Sequence, residues 1–475
     1  MNIKHLLQNI TPTEFNFSVE GLCLNSTQVR DGDIFIALQG AKGHGSDHID
    51  QAIDKGCICV LVDSKDIECN VPAIRIDNLS EHLPALASIF YTDAQKVNVI
   101  GITGTNGKTS VACFIAQLLT MLGTKNGLIG TLGISHSEQN STNTTPDILT
   151  LYRTLDGYAK DGINTAVLEV SSHGIDQNRI AGLHITHAVF TNLTQDHLDY
   201  HQNLAEYKQV KTRLFSLDSV QSVILNQDDG NYLNFLNASK GKKISNYALT
   251  DFTDIKTTEQ GFLTTLNTFV FEVPFLGKFN LSNILSAFST LKTLGFNDTQ
   301  IIPLLHKLTP PSGRMQKNPE KLIWIDYAHT PDALKNAITT LKSHYPEHSI
   351  RVVFGCGGNR DKDKRSKMGK IASKLADTLI LTNDNPRTEA PGTIINDILN
   401  GIDDSYEVNI TEDRQLAIEN AVITLGEEEC LLIAGKGHET TQIFKHKTLK
   451  SNDNNIILAA IIEAARLKKI KNRQG

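Results

Sequence analysis

No run of about 18 apolar residues occurs anywhere in the 475-residue chain, so nothing in it reads as a membrane-spanning helix. The opening Met1-Asn-Ile-Lys-His-Leu-Leu-Gln-Asn-Ile10 is too short and too polar to read as a secretory signal. The seven cysteines (Cys23, Cys57, Cys59, Cys69, Cys113, Cys356, Cys430) are odd in number, scattered and without a CxxC pair. Such spacing gives neither a zinc site nor a disulfide framework; it fits small buried residues in a reducing compartment. A positive excess is missing too. The formal net charge of −6 argues against a broad surface that grips nucleic acid, while leaving room for a local basic pocket for a small anion. No repeat of 20–50 residues is visible. These absences lead to the expectation of a cytoplasmic protein with no membrane and no nucleic-acid partner.

What is present is ordinary globular composition, 40% hydrophobic and 21% charged, in a chain too long for one core. Three domains are expected. Residues 1–96 read as a small α/β unit, with strands at Ile34–Leu38, Cys57–Val62 and Pro72–Ile76 and helices at Asp47–Lys55 and Ser80–Tyr91. Its loop Gln39–Ser46 is glycine-rich and either binds a ligand or simply turns the chain. Residues 97–313 alternate strands (Leu128–Gly130, Thr165–Val170, His187–Thr191, Ser222–Leu225) with helices, including Pro146–Lys160 with proline as its first residue. That alternation predicts a largely parallel sheet covered by helices. A small antiparallel piece is expected over 243–276. Pro310-Pro311-Ser312-Gly313 breaks helix and strand alike and marks a boundary. Residues 314–475 then restart the pattern as a second doubly wound, Rossmann-like domain.

The stretch from Val97 to Leu122 carries the clearest chemistry. An apolar strand, Val97 to Ile102, leads into Gly104-Thr105-Asn106-Gly107-Lys108-Thr109 and a helical pattern from Ser110. This is the plan of a phosphate-binding loop. Glycines let main-chain N–H groups approach phosphate oxygens, the helix N-terminus favours negative charge, Lys108 reaches the outer phosphates and Thr109 can ligate Mg²⁺. The usual spacing would put glycine at 102, where Ile102 stands, so this is a shorter form; a purely structural turn is the alternative. An ATP-using enzyme is the reading that follows.

Other polar clusters fall at expected strand ends, where parallel sheets bind ligands. Glu169, before Ser171-Ser172-His173, can hold Mg²⁺ or serve as an ion-paired glutamate. Asp196-His197-Leu-Asp199-Tyr-His201 suits metal or phosphate chemistry, or is a merely polar loop. Asn143-Thr144-Thr145-Pro146 could take an anion or cap a helix, and Gln177-Asn178-Arg179 follows closely. In the last domain, Gly355–Asp361 presents Arg360, Asp384-Asn385-Pro386-Arg387 presents a second arginine, and Gly435-Lys-Gly-His-Glu439 presents a carboxylate. Two arginines and a carboxylate in one pocket suit a zwitterion, since arginine grips carboxylates bidentately and glutamate takes an ammonium.

Taken in order, Gly104–Thr109, Asn143–Pro146, Glu169–His173, Asp196–His201, Asp326-Tyr-Ala-His329, Asp384–Arg387 and Gly435–Glu439 resemble the Mur ligase family over essentially the whole chain. The resemblance implies an α/β protein of three domains. These are a small N-terminal domain for the uridine end of the substrate (1–96), a central P-loop ATPase-like parallel-sheet domain (97–313) and a C-terminal Rossmann-like domain that binds the amino acid (314–475). It implies ATP-dependent addition of meso-diaminopimelate to UDP-N-acetylmuramoyl-L-alanyl-D-glutamate through an acyl phosphate, with ATP and two Mg²⁺ ions, by a monomer. The alternatives are the L-lysine-adding form and a nucleotide-binding, ligase-like protein without turnover. By similarity Lys108 and Thr109 hold phosphate and metal, Glu169 and His197 ligate metal, and Lys211 is carbamylated to an anionic metal ligand. Asn280, Asn283, Arg314 and Asp326 match ATP positions. Ser26, Thr144, Thr145, Ser171, Gln177 and Arg179 match positions for the UDP-linked substrate. Arg360, Asp384, Asn385, Pro386, Arg387, Gly435 and Glu439 match the amino-acid pocket, and Asp-Asn-Pro-Arg is the form associated with diaminopimelate. Two departures stand out: Asn25-Ser26-Thr27 where Asp-Ser-Arg is usual, and Asn359 where aspartate is commoner.

Overall fold

In a computed structural model of the chain, residues 1–40, 43–63, 67–136 and 143–474 are described, with side chains up to residue 468. Positions 41 and 42 of the expected glycine-rich loop lie outside them. The chain forms two compact units, one of residues 1–102, 123–188 and 213–222, the other of 103–122, 189–212 and 223–475.

In the first unit, strands Gly21–Cys23, Asp33–Ala37, Cys59–Val62 and Ala73–Arg75 lie side by side in that order, all parallel. The two central strands are buried along their whole length, as the continuous apolar runs Ile34–Ala37 and Cys59–Val62 require of a sheet covered on both faces. Cys57 falls just outside its expected strand; its thiol donates to the Cys59 carbonyl at 3.0 Å, and both cysteines are buried and free. Helix Ile148–Lys160 begins two residues later than expected. Asp147 caps it, accepting from the Thr150 N–H (3.0 Å) and hydroxyl (2.7 Å), so Pro146 precedes the helix instead of opening it. From that helix Arg153 reaches the sheet, donating to both oxygens of buried Asp33 (3.0 and 3.1 Å), to the Leu22 carbonyl (3.1 Å) and to the Tyr91 hydroxyl (2.9 Å).

A seven-stranded sheet has the order Lys243–Tyr247, Ser222–Asn226, Ile185–Phe190, Asn98–Thr103, Thr165–Glu169, Gly127–Gly130, Gly133–Ile134. The antiparallel piece expected over 243–276 is confined to Phe252–Thr258, Gly261–Leu266 and Phe269–Val273, because Lys243–Tyr247 forms an edge of the larger sheet.

In the second unit, a six-stranded sheet runs Gln316–Lys317, Ile323–Asp326, Glu429–Ala434, Ser349–Phe354, Thr378–Leu381, Val408–Ile410. Only the two-residue edge strand is antiparallel. Its carboxyl ends therefore point the same way, and the loops after Asp326, Phe354, Leu381 and Ala434 share one rim. A hairpin, Thr441–Ile443 with Thr448–Lys450, follows; strands this short carry no periodic signal, and the sequence did not announce it.

Two buried polar contacts hold this unit. Arg414 and Asp453, both with fully buried side chains, form a bidentate pair (2.9 and 2.7 Å), and Arg414 also donates to the Ala434 carbonyl (3.1 Å). His344, at the end of helix Pro331–His344, donates from Nδ1 to Thr258 O (2.5 Å) and accepts the Gly277 N–H on Nε2 (3.4 Å), so it must be neutral. Burial lowers its pKa accordingly.

Asp453→Ala, which strands a buried guanidinium, should shift the urea midpoint of the full chain by the equivalent of roughly 3–5 kcal/mol, with Arg414→Met/Asp453→Leu recovering much of it. A midpoint unchanged in the single variant would show the pair to be dispensable. Because the His344 pKa is depressed by folding, its contribution is present above ~6.5 and lost as pH falls toward the folded value. Urea midpoints between pH 5 and 8 should show that slope in the native chain and a flatter one in His344→Gln, which keeps a donor and an acceptor; equal slopes would refute the assignment.

Candidate active site

The phosphate loop spans the gap between strand Asn98–Thr103 and helix Lys108–Met121. Its two glycines are structurally required. A Cβ on Gly104 (φ +152°) would sit 1.9 Å from Thr191 Oγ1, and one on Gly107 (φ +86°) 2.6 Å from Asn283 Oδ1. Asn192 pins the loop in both directions, accepting the Asn106 N–H (2.9 Å) and donating to the Asn106 carbonyl (3.0 Å). Thr105 bonds the Thr194 carbonyl (3.1 Å) and pairs with the Tyr207 hydroxyl (3.2 Å). Lys108 folds back over the loop, its Nζ 2.9 Å from the carbonyls of both Gly104 and Thr105.

Lys211, on helix Leu204–Thr212, is 1% exposed and donates to the same Gly104 carbonyl at 2.9 Å and to Thr103 Oγ1 at 3.3 Å. Burial, reinforced by the Lys108 ammonium, pushes its pKa well below the ordinary lysine value, favouring the neutral amine. Nearby, Asp196 lies 3.4 Å from His197 Nε2 and 3.9 Å from His329 Nε2. Burial alone would raise the Asp196 carboxyl, but His197, His329 and Lys364 hold it below the usual carboxylate range. Among the described residues no three His, Cys, Asp or Glu side chains form a ready metal cage. The donor set instead suits a hard cation that takes a few isolated protein oxygens and completes its shell with phosphates.

Beside the loop is a cavity of about 270 Å³ lined by Asn106, Gly107, Asn283, Arg314, Asp326 and Tyr327, among others. Arg314 stacks on the Tyr327 ring (4.4 Å) and donates to Thr109 Oγ1 (3.2 Å). Asp326, at the end of its strand, accepts the Met315 N–H (2.6 Å), and burial pushes its pKa up to about 6 against the pull of Arg314. Asn280, expected at the nucleotide, does not line this cavity. It is buried, donates to the Leu276 carbonyl (2.7 Å) and accepts from Asn283 (3.1 Å), so it orients Asn283.

In the first unit, Glu169 is 1% exposed, and Thr131 grips both its oxygens, by N–H (2.9 Å) and hydroxyl (3.1 Å). Gly130 leaves the space the carboxylate fills, since a Cβ there would lie 2.2 Å from Oε1. The expected anion-binding residues do converge. Thr145 Oγ1 donates to the Glu169 carbonyl (2.8 Å) and accepts the Ser171 N–H (2.9 Å), while Arg179 donates to the Thr145 carbonyl (2.6 Å) and to Gln177 (3.0 Å). Thr131 also bonds Thr144 (3.1 Å). Ser26 is buried and bonds Gln51 (2.7 Å), and Thr27, where an arginine is usual, ties back to Asn25 (3.0 and 2.8 Å).

At the rim of the six-stranded sheet the three expected loops interlock. Gly358 donates to the Asn385 carbonyl (2.9 Å), and a Cβ there would lie 1.9 Å from the Pro386 carbonyl oxygen. Gly435 (φ +109°) makes room for Asp384, whose carboxylate accepts the Asn385 N–H (2.6 Å). Arg387 donates to the main-chain carbonyls of Gly358 (2.9 Å) and Asn385 (3.4 Å), with no carboxylate within ion-pair distance among the described residues. Burial first and the nearby Arg360 cation second lower its pKa, against the pull of the Asp384 and Glu439 carboxylates. Arg360 lies 3.7 Å from Asp199 and is half exposed. Glu439 accepts from Asn385 (2.8 Å) and from Lys436 (2.8 Å). Sequence reasoning passed over Thr131, Gly130, Tyr327 and Lys436. Tyr327 and Lys436 lie inside quoted motifs without having been given a role, and Gly130 and Thr131 lie at the end of an expected strand, far in the chain from the glutamate they hold.

Known proteins match the chain over almost its whole length. Residues 18–91 fit the Mur ligase family catalytic-domain model, 102–291 the Mur ligase middle-domain model, and 313–437 the Mur ligase glutamate-ligase-domain model. A UDP-N-acetylmuramoyl-L-alanyl-D-glutamate–2,6-diaminopimelate ligase of Wigglesworthia glossinidia brevipalpis is 38% identical, covering 96% of this chain and 98% of the relative. The protein of the same name from Pseudomonas aeruginosa is 37% identical over 92% and 94%. A solved structure of a ligase of that name superposes with a TM-score of 0.65 at 31% identity, covering 98% of this chain and 99% of the other. With a phosphate loop, a parallel-sheet rim and full-length relatives in agreement, the chain belongs to the Mur ligase family.

Proposed function

We propose that this ATP-dependent ligase joins meso-diaminopimelate to UDP-N-acetylmuramoyl-L-alanyl-D-glutamate, a cytoplasmic step in making peptidoglycan precursor, and that it acts as a single chain. The observation that carries the choice of amino acid is Arg387, a half-buried cation near Arg360 that, among the described residues, donates to main-chain carbonyls and has no carboxylate within ion-pair distance. A ligand with a distal carboxylate relieves that imbalance, whereas lysine would leave the guanidinium unpaired. The division of labour we infer places uridine binding in residues 1–96, ATP in 97–313 and the amino acid in 314–475.

A carboxylate is a poor electrophile until one oxygen becomes a leaving group. In the proposed reaction the substrate carboxylate takes the γ-phosphoryl group of ATP, releasing ADP, and the amine of the amino acid then attacks the acyl carbon and expels phosphate. The glycine loop and Lys108 hold the phosphates, Arg314 approaches from Thr109, and Asn283 and Asp326 wall the nucleotide cavity. Thr144, Thr145, Ser171, Gln177 and Arg179 hold the UDP-linked acid, and Ser26 its uridine end. Asp384, Asn385, Pro386, Gly435 and Glu439 shape the pocket in which Arg360 and Arg387 take carboxylate. Mg²⁺, for which Thr109, Glu169, His197 and Lys211 are the protein donors, would neutralise phosphate oxygens when bound.

Lys211 fits that last role only as an anion. A neutral lysine amine adds CO₂ to give a carbamate and a proton, turning a cation into an oxygen ligand. The dry environment and neighbouring Lys108 that disfavour its ammonium supply the form that reacts.

Release of ADP and phosphate should require both the UDP-linked dipeptide and diaminopimelate; release with no amine, or none with any, would overturn the reading. Arg387→Ala should lose roughly 10- to 150-fold in kcat/KM for diaminopimelate, the equivalent of one charge-assisted pair, with ATP affinity kept. Equal loss of ATP affinity would misplace the loop. Lys211→Ala should be nearly inactive and partly recovered by formate or acetate, and full activity without them would remove the carbamate.

A further inference from the structure

We infer that Lys436 is a positioning residue for amino-acid selection: it fixes one oxygen of Glu439 so that the other is presented to the ligand's ammonium. This rests on reading the rim of the six-stranded sheet as the amino-acid pocket.

Lys436 sits between Gly435 and Gly437 with a fully buried side chain, so it cannot itself touch a ligand. An ammonium has three donors, and each has an acceptor here: Glu439 Oε2 at 2.8 Å, the Thr441 carbonyl at 2.5 Å and Asn385 Oδ1 at 3.4 Å. These acceptors belong to three different pieces of the pocket: the loop after Ala434, the hairpin, and the loop after Leu381. Asn385 closes the arrangement. Its Nδ2 donates to the same Glu439 Oε2 (2.8 Å), while its Oδ1 accepts the Ile443 N–H (2.9 Å), which fixes which way the amide points.

Both donors to Glu439 therefore meet at Oε2. Oε1 has no donor among the described residues, on a side chain 29% exposed. A carboxylate free to rotate would offer either oxygen in any direction; one clamped by a cation and an amide offers a single oxygen in a single direction. The clamp also balances charge. Lys436 offsets the Glu439 carboxylate, so the glutamate meets the ligand's ammonium without adding net charge to its loop.

The test is steady-state kinetics of the full chain, reading phosphate release. Lys436→Met keeps the volume and removes the donors. It should raise KM for diaminopimelate on the order of 20-fold, lower kcat less than about 5-fold, and leave KM for ATP and the UDP-linked dipeptide within about 2-fold. Glu439→Gln should show the same selective rise, and the double variant should be no worse than the poorer single one, because the lysine acts through the glutamate. If Lys436→Met does not fold, Lys436→Arg keeps the buried charge while replacing a point donor by a planar fork, and should raise the same KM about 5-fold. An unchanged KM for diaminopimelate in whichever variant binds ATP normally, or additive losses in the double variant, would overturn the inference. A native chain that turns over lysine instead refutes the choice of amino acid and leaves the same comparison to be made with lysine.

Discussion

One main-chain oxygen, the carbonyl of Gly104, accepts from two lysines, Lys108 and Lys211, each at 2.9 Å. Burial first, and repulsion from the Lys108 cation second, push the Lys211 pKa well below the ordinary lysine value. The geometry that makes this possible begins with glycine. Only a residue without Cβ fits between Thr191, Asn192 and the loop, and only then does the carbonyl turn toward both side chains. The phosphate loop is thus more than a cradle; its Gly104 carbonyl brings Lys108 beside a buried lysine a hundred residues along the chain.

The rim of the six-stranded sheet follows a different logic. Parallel strands deliver four loops to one edge, and the loops hold one another by main-chain contact. Gly358 against Pro386 and Gly435 against Asp384 are approaches that any side chain would block. Arg365, fully buried and paired with Glu389 and Asp397 (2.9 and 2.8 Å), stiffens the same region from beneath. For the proposed amino-acid pocket, discrimination by one charge requires rigid support of this kind, because an arginine that could swing into solvent would not be left unpaired by the wrong ligand.

Much of this was legible in the sequence. The parallel sheets followed from alternating strands and helices, and the phosphate loop from its glycines and Lys-Thr. The converging arginines followed from loops after strands. What escaped were features set by long-range packing. Nothing near Asn280 says that its side chain will bond Asn283 and the Leu276 carbonyl. The hairpin at 441–450 has strands of three residues, too short for any period to register, yet its main chain anchors Asn385 and Lys436. Pro146 looked like a helix opener because proline suits that place, but Asp147 supplied a stronger cap and took the start of the helix for itself.

Some of the backbone's left-handed positions fall at the candidate site. Among the described non-glycine residues with left-handed φ are His197 (+55°), Met315 (+44°), Asn359 (+53°) and Arg387 (+53°), all at or beside the site. For an asparagine this conformation is nearly free, which gives Asn359 a reason of its own to stand where aspartate is commoner. For histidine, methionine and arginine it costs of order 1–3 kcal/mol each and persists only where surrounding contacts over-determine it. They do. The Met315 N–H is held by Asp326, the Arg387 N–H by the Ile443 carbonyl (3.0 Å), and the His197 N–H by Asp196 (2.9 Å). On the proposed reading, this strain holds in place an arginine that donates to main-chain carbonyls and has no carboxylate within ion-pair distance among the described residues, which leaves its charge to be met by the ligand.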